Sequence, residues 1–291
     1  MVQIRTDMAA ECRELAGSGK LEGVAEQSEN IGGMEILTIK ILNSEGERAV
    51  GKPEGTYITV NMDNFYPDDD KIEAVAKKLG SLLPEGSALV AGLGNMEITP
   101  DSIGPRAAAR VLATRHIMGT AAKNMGLDDL RTVSVIVPGV LGQTGMETAE
   151  ILKSAAEAAK PDFIIAIDAL ASRHTSRLGS ALQMSDSGIS PGSGVGNRRA
   201  ELSKKTLGVP VISLGVPTVV DAAVLAYDKA LEAGISPEKA EEIWRKTEKN
   251  TVVTPREIDL LTQKSSYLLA MAINCALHPC YTPADFRILV D

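Results

Sequence analysis

Aromatic residues and cysteines are scarce in this sequence. Phe, Trp and Tyr make up 3% of its 291 residues, and cysteine occurs only three times. Three cysteines cannot build a disulfide framework, and such usage is typical of a reducing compartment, so we expect a cytoplasmic protein. Because aromatics are few, the core has to be formed by aliphatic residues and methionine, and a hydrophobic content of 44% is enough for a sizeable one.

Net positive charge and long apolar runs are also missing. The formal net charge is -8, and an acidic surface repels nucleic acid and anionic lipid. No stretch reaches the length of a membrane span, and the first residues contain no apolar segment typical of a secretory signal. We therefore expect neither a nucleic-acid partner nor a membrane partner.

Common cofactor and nucleophile motifs are absent as well. The stretches GLGN and GSGVGN match neither the dinucleotide-binding pattern nor the P-loop, which argues against a nucleotide site. No G-x-S-x-G elbow marks a nucleophilic serine. The cluster of Cys275, His278 and Cys280 has no matching second pair, so a structural zinc site is disfavoured. The sequence predicts no cofactor.

Alternating apolar segments dominate what is present. Short runs typical of buried strands, such as SALVAGLGN, RTVSVIVPGV, DFIIAIDAL and VPVISLGVP, alternate with segments of helical periodicity. The Ala-rich stretch GPRAAARVLATRHIMGTAAK is one predicted helix, and two earlier strands suggest a hairpin at one edge of the sheet. This alternation predicts one α/β domain over residues 1–291, with a largely parallel or mixed sheet covered on both faces.

Two aspartates follow neighbouring strands of that sheet. Asp101 comes shortly after SALVAGL, and Asp168 ends the apolar run of DFIIAI. Because ligands bind outside the carboxyl ends of such strands, we expect both carboxyl groups at one edge of the sheet. A close pair shares a proton, so one member acts as a base and the other as an acid. Two alternatives stay open: local caps, or a metal site with His174 as a third ligand.

Six ordered motifs carry a resemblance to a known family. They are IRTDMAAE, GLGNMEITPDSIGP, PGVLGQTGMETAEI, AIDALASRHTSRLG, QMSDSGISPGSGVGNRR and LGVPVISLGVPTVVDA. The chain resembles the spore germination protease family, endopeptidases that degrade small acid-soluble spore proteins when spores germinate. The resemblance implies a three-layer α/β sandwich, similar to hydrogenase-maturation peptidases and nucleoside phosphorylases. It also implies an atypical aspartic peptidase, a homotetramer made as a zymogen, and location in the spore core.

The same resemblance assigns residues. It implies that Asp101 and Asp168 are the catalytic pair. Family substrates are cut after an acidic residue, and zymogens process themselves near the start of the chain. We therefore expect residues 1–7 to be a short pro-segment, with processing between Asp7 and Met8. The alternative is that Asp7 caps the first helix.

A cut after an acidic residue calls for a pocket that binds a carboxylate. A guanidinium grips a carboxylate with two hydrogen bonds, so we expect Arg173, Arg198 and Arg199 to bind substrate. Two departures from the family pattern, Met96-Glu97 and His174, bear on metal affinity and on the acid/base pair. They leave a metal-dependent peptidase, a phosphorylase-like enzyme and a catalytically silent binding protein as alternatives.

Overall fold

The strands form a single mixed sheet in the computed structural model, which describes residues 4–17, 19–118, 129–196, 199–248 and 251–290. Within these residues the sheet has nine strands in the order β1-β2-β3-β7-β8-β6-β4-β5, with β9 on β8. In chain order they are β1 (Val24–Ile31), β2 (Met34–Ile41), β3 (Gly55–Asn61), β4 (Ala88–Gly92), β5 (Val133–Ile136), β6 (Phe163–Ser172), β7 (Ala181–Ser185), β8 (Val211–Asp221) and β9 (Val252–Val253).

Helices of 4 to 20 residues connect and cover these strands. We number the described α-helices α1 (Ala9–Leu15), α2 (Ser44–Val50), α3 (Asp69–Gly80), α4 (Ile103–Ala108), α5 (Leu141–Thr144), α6 (Thr148–Ala159), α7 (Lys204–Leu207), α8 (Ala222–Glu232), α9 (Pro237–Lys246), α10 (Ile258–Leu277) and α11 (Pro283–Val290). Asp68 caps α3 by accepting a hydrogen bond from the backbone N–H of Lys71, as its run of aspartates predicts. No helix among the described residues is both long and apolar enough to cross a membrane.

Strand direction divides the sheet into two halves. β8, β6, β4 and β5 are parallel neighbours, whereas β1, β2, β3 and β7 continue the sheet in antiparallel pairing. The parallel strands end at one edge, which we call the carboxyl edge. The loops after β4 and β6 meet there, as predicted for Asp101 and Asp168.

Apolar side chains cover both faces of the sheet. On one face, alternate residues of β4, β6 and β8 pack with α3, α4 and α10. On the other face, Ile164 and Ala166 of β6 pack with Leu152 of α6 and Leu207 of α7. The result is a three-layer α/β arrangement around a mixed sheet, which confirms the predicted fold class.

Two local predictions are wrong, and β1 lies in a polar stretch with no apolar pattern to predict it. The Ala-rich helix ends at Ala108, because the N–H groups of Thr114 and Arg115 donate to the carbonyl of Val133 instead of continuing a helix. β6 also continues four residues past Asp168, since Asp168 to Ser172 still pair with β8. Residues 119–123, the rest of that helical stretch, lie outside the described residues.

Candidate active site

Asp168 is a buried carboxyl group within a strand. Its residue is 6% exposed, and it shares a face of β6 with Ala166 and Leu170 because side chains alternate along a strand. Its Oδ1 accepts one hydrogen bond, from the adjacent N–H of Ala169 at 2.9 Å. Burial, with the nearby charges of Asp101 and Asp7, raises the pKa of Asp168 well above the usual range of aspartate. Asp168 therefore keeps its proton to a higher pH than an exposed aspartate does.

Asp101 lies on a short 3₁₀ turn, Thr99–Asp101, directly before α4. Its Oδ2 accepts a hydrogen bond from the backbone N–H of Asn95 at 2.7 Å, whereas the N-cap of α4 is Ser102. Asp101 is thus no helix cap. Burial raises its pKa, and the bond from Asn95 opposes that rise. Gly94, with a φ of +113°, lets the loop turn against Asp101, since a Cβ there would overlap the Asp101 carbonyl.

Sheet register brings the two aspartates together. Gly92, the last residue of β4, is opposite Ile167 of β6, so Asp168 follows at the next position. The N–H of Leu93 donates to the carbonyl of Ile167 at 2.8 Å, which holds the loop carrying Asp101 against β6. Because Asp168 has the more strongly raised pKa, the arrangement suits an acid at Asp168 and a base at Asp101.

A third carboxylate, that of Asp7, lies beside this pair. The N–H of Asp7 donates to the carbonyl of Ala171 at 2.9 Å. Its carboxylate accepts hydrogen bonds from the N–H of Ala171 at 2.8 Å and from Ser193 Oγ at 2.7 Å. The N-cap of α1 is Met8, without a side-chain bond. The alternative that Asp7 caps the first helix is therefore wrong, and processing at Asp7–Met8 stays a prediction.

A cavity of about 730 Å³ opens next to the N-terminal segment. Its lining includes Asp7, Lys52, Gln183 and Ser193, and also Gly215, which pairs with Asp168 across β6 and β8. The cavity does not include the two catalytic candidates themselves. It extends from Gly215 of β8 to Gly51 and Lys52, directly after α2.

Glu11 is a buried carboxylate that the sequence did not indicate. It is fully buried on α1 and accepts hydrogen bonds from Thr6, from the N–H of Arg173 at 2.7 Å and from the N–H of His174 at 3.1 Å. Arg177 adds an ion pair at 3.2 Å. Glu11 therefore orders the loop after β6. Apart from Thr6, its partners lie more than 160 residues away, so no local pattern pointed to it.

The predicted substrate-binding arginines have partners here. Arg173 binds Asp228 through two hydrogen bonds of 2.8 and 2.7 Å. Arg199 lies 3.8 Å from Glu147, and Arg198 lies outside the described residues. Arg173 could bind a substrate carboxylate only by giving up its hydrogen bonds to the carboxylate of Asp228.

His174 does not join Asp101 and Asp168. Its Nε2 lies 4.0 Å from Glu14, on the side of α1. In the parts of the chain that the structure describes, no three His, Cys, Asp or Glu side chains form a group that could hold a metal. Met96 and Glu97, the other departure from the family pattern, are exposed on the loop that precedes Asp101.

Comparison with known proteins yields a family match. The family model described as germination protease matches residues 3–232. A germination protease of Caldanaerobacter subterraneus subsp. tengcongensis is 43% identical, covering 99% of this chain and 98% of that protein. One from Clostridium acetobutylicum is 38% identical over the whole of both chains. One from Bacillus subtilis is 43% identical over 77% of this chain and 65% of its own length.

Comparison with solved structures also yields a match. The hydrogenase maturation protease HycI from Thermococcus kodakarensis matches with a TM-score of 0.37 and 16% identity. The match covers 67% of this chain and 98% of that one.

Proposed function

The chain belongs to the germination protease family and is a peptidase, and from that premise we propose that it hydrolyses small acid-soluble spore proteins during germination, with Asp101 and Asp168 as its catalytic pair. One observation carries the proposal. A nearly unpartnered, buried carboxyl group, Asp168, lies beside a second carboxyl group at the carboxyl edge of the sheet.

The pair supplies both proton transfers of peptide hydrolysis. Asp101, as carboxylate, takes a proton from a water molecule while the oxygen of that water bonds to the carbonyl carbon of the substrate. Asp168 then donates its proton to the leaving amide nitrogen as the C–N bond breaks. Asp101 ends protonated and Asp168 ionised, and one proton passed between them restores the starting state.

The finer properties implied by the family belong to the same proposal. The chain is made as a zymogen, processed between Asp7 and Met8, assembled as a homotetramer and located in the spore core. The position of Asp7 beside Asp168 supports self-processing, because the segment already lies at the catalytic pair. Arg173, Arg198 and Arg199 remain candidates for substrate binding.

The direct test is incubation of the protein with a small acid-soluble spore protein, followed by mass mapping of the fragments. We expect a few cuts, each after an acidic residue and before an apolar one. An unfolded protein of similar length without acidic–apolar pairs serves as the control and should stay intact. A spore protein that remains uncut at high enzyme concentration would contradict the proposed substrate.

The pH dependence of cleavage follows from the two pKa values. As pH rises through the raised pKa of Asp168, the proton donor is lost and kcat/KM falls. As pH falls through the pKa of Asp101, which burial also raises, the base is lost. We expect a bell-shaped profile of kcat/KM, with both limbs above the pH at which exposed aspartates titrate.

A flat profile through the carboxylate range would argue against the pair. If activity is also lost in a chelator and restored by a divalent cation, the attacking water is metal-bound. The buffer series is therefore run with and without the chelator.

A further inference from the structure

The N-terminal segment Ile4–Glu11 lies along the face of the sheet that carries Asp168. One backbone hydrogen bond, from the N–H of Asp7 to the carbonyl of Ala171, ties the segment to β6. The groups that hold this segment come from β6, β7, the residue pair after α2 and the glycine-rich loop after β7. They bind the peptide backbone and the acidic side chain of Asp7, which any peptide with an acidic residue at that place would present.

Gln183 binds the backbone on both sides of Met8. Its Nε2 donates to the carbonyl of Asp7 at 3.0 Å, and its Oε1 accepts from the N–H of Ala9 at 2.5 Å. Gln183 and Asp168 are both opposite Gly215, on neighbouring strands, and the side chain of Leu170 fills the space above that glycine. These contacts involve no side chain of the segment, so they do not depend on its sequence.

Lys52 places a positive charge at the same carbonyl. Its Nζ donates to the carbonyl oxygen of Asp7 at 3.0 Å and to that of Thr6 at 3.3 Å. Within the described part of the chain, Lys52 bonds only to these carbonyl oxygens. An ammonium group held against a carbonyl is suited to offset negative charge that develops on its oxygen.

The carboxylate of Asp7 is held by neutral donors. The Ala171 N–H binds one oxygen and Ser193 Oγ the other. Gly194 makes room for it, because a Cβ there would overlap Asp7 Oδ2 and come within 2.7 Å of the Ala171 Cβ. A carboxylate at this place also raises the pKa of Asp168 and so keeps the proposed acid protonated.

The side chain of the next residue, Met8, occupies an apolar pocket. Met8 is fully buried in a cluster with Leu170 and Ala181, and Ile189 packs against it. An acidic residue followed by an apolar one therefore matches two adjacent subsites of opposite character.

We propose that Lys52, Gln183 and Ser193 form the substrate cleft of this peptidase, which takes a peptide with an acidic residue followed by an apolar residue. Gln183 and Lys52 hold the carbonyl group at the bond to be cut, and Ser193 with the Ala171 amide binds the acidic side chain. The inference rests on the proposed function, whose hydrolytic step it leaves unchanged. It assigns recognition of the acidic side chain to Ser193 rather than to Arg173.

The test is a competition between two peptides in one tube. One carries residues 1–16 of this chain, and the other is the same peptide with Asp7→Asn. The ratio of their cleavage rates equals the ratio of kcat/KM, whatever fraction of the enzyme is occupied by its own segment. We expect wild type to prefer the Asp peptide at least tenfold, and Ser193→Ala to reduce that preference about tenfold.

The backbone-binding groups should behave differently. Lys52→Met should lower kcat about a hundredfold for both peptides, and Lys52→Arg should restore part of it. Gln183→Ala should raise KM for both peptides without changing their ratio. The controls Lys246→Met and Ser154→Ala, on exposed residues far from the cleft, should match wild type.

Gly194→Ala provides a second, independent variant, because its methyl group would occupy the space of the substrate carboxylate. It should lower the preference for the Asp peptide, whereas Gly80→Ala, which meets no atom within 4 Å, should not. Thermal unfolding checks that each variant is folded.

Two results would overturn the inference: an unchanged peptide ratio in both Ser193→Ala and Gly194→Ala, or loss of the ratio in Arg173→Ala alone. If wild type cuts neither peptide, the proposed function fails. The cleft is then judged by binding, where the Asp peptide must displace a labelled copy better than the Asn peptide on wild type but not on Ser193→Ala. Equal displacement on wild type would also overturn it.

Discussion

Asparagine at position 168 is expected to remove nearly all peptidase activity while leaving the fold intact. The amide keeps the size of the side chain but cannot donate the proton that the leaving amine needs. Asp101→Asn should have a similar effect, because it removes the base. We expect kcat to fall about 10³-fold in each variant, and less than additively in the double variant, because the two groups act as a unit.

Although Asp168→Asn should lose activity, we expect it to be more stable than wild type at high pH. Above the pKa of an unfolded aspartate, folding of wild type has to protonate Asp168 or bury its charge, and folding of the asparagine variant does neither. Below the pKa of an unfolded aspartate the two proteins differ little, because the carboxyl group is neutral in both states. Asp168→Asn should therefore raise the melting temperature at pH 8 and leave it nearly unchanged at pH 4.

Asp221→Asn is the matched control. Asp221 caps α8 by accepting hydrogen bonds from Ala223 and Val224, and asparagine caps a helix about as well. Activity should stay near wild type in this variant. Near-normal cleavage by Asp101→Asn or Asp168→Asn would remove the pair from the mechanism, whatever happens to the melting temperature.

Gly104→Ala is expected to cost both stability and activity. Gly104 is in α4, where alanine is normally favourable, but a methyl group there would overlap the carbonyl oxygens of Leu93 and Ile167. Those atoms belong to fixed backbone, so α4 has to move away from β4 and β6. We expect the free energy of unfolding to fall by about 3 kcal/mol.

The same movement separates the catalytic pair. Asp101 precedes α4 by two residues, and Asp168 directly follows Ile167. A shift of about 1 Å is enough to reduce kcat/KM about 10²-fold. Denaturant titration and kinetics on Gly104→Ala, with Gly80→Ala as the control, measure both effects. Wild-type activity in a folded Gly104→Ala protein would show that the contact of α4 with the sheet does not position the pair.

The prediction of the two aspartates succeeded in placing them together, because it needed only local information. Buried parallel strands are short apolar runs, and parallel neighbours bring their carboxyl ends to one edge. A carboxyl group at the end of such a run is visible in the sequence. The antiparallel half of the sheet was harder to predict. Most residues of β1 are polar and exposed, and β7 carries Gln183, which binds the N-terminal segment.

The sequence by itself determined the alternation of strands and helices, the capping of α3 by Asp68 and the loops that carry Asp101 and Asp168. These depend on periodicity and on neighbours within a few residues. Only the tertiary structure decided that Asp7, Lys52, Gln183 and Ser193 meet, that Glu11 binds the loop after β6, and that Arg173 binds Asp228. Each of these contacts joins residues more than 40 positions apart, and hydrogen bonds over such separations leave no periodic pattern in the sequence.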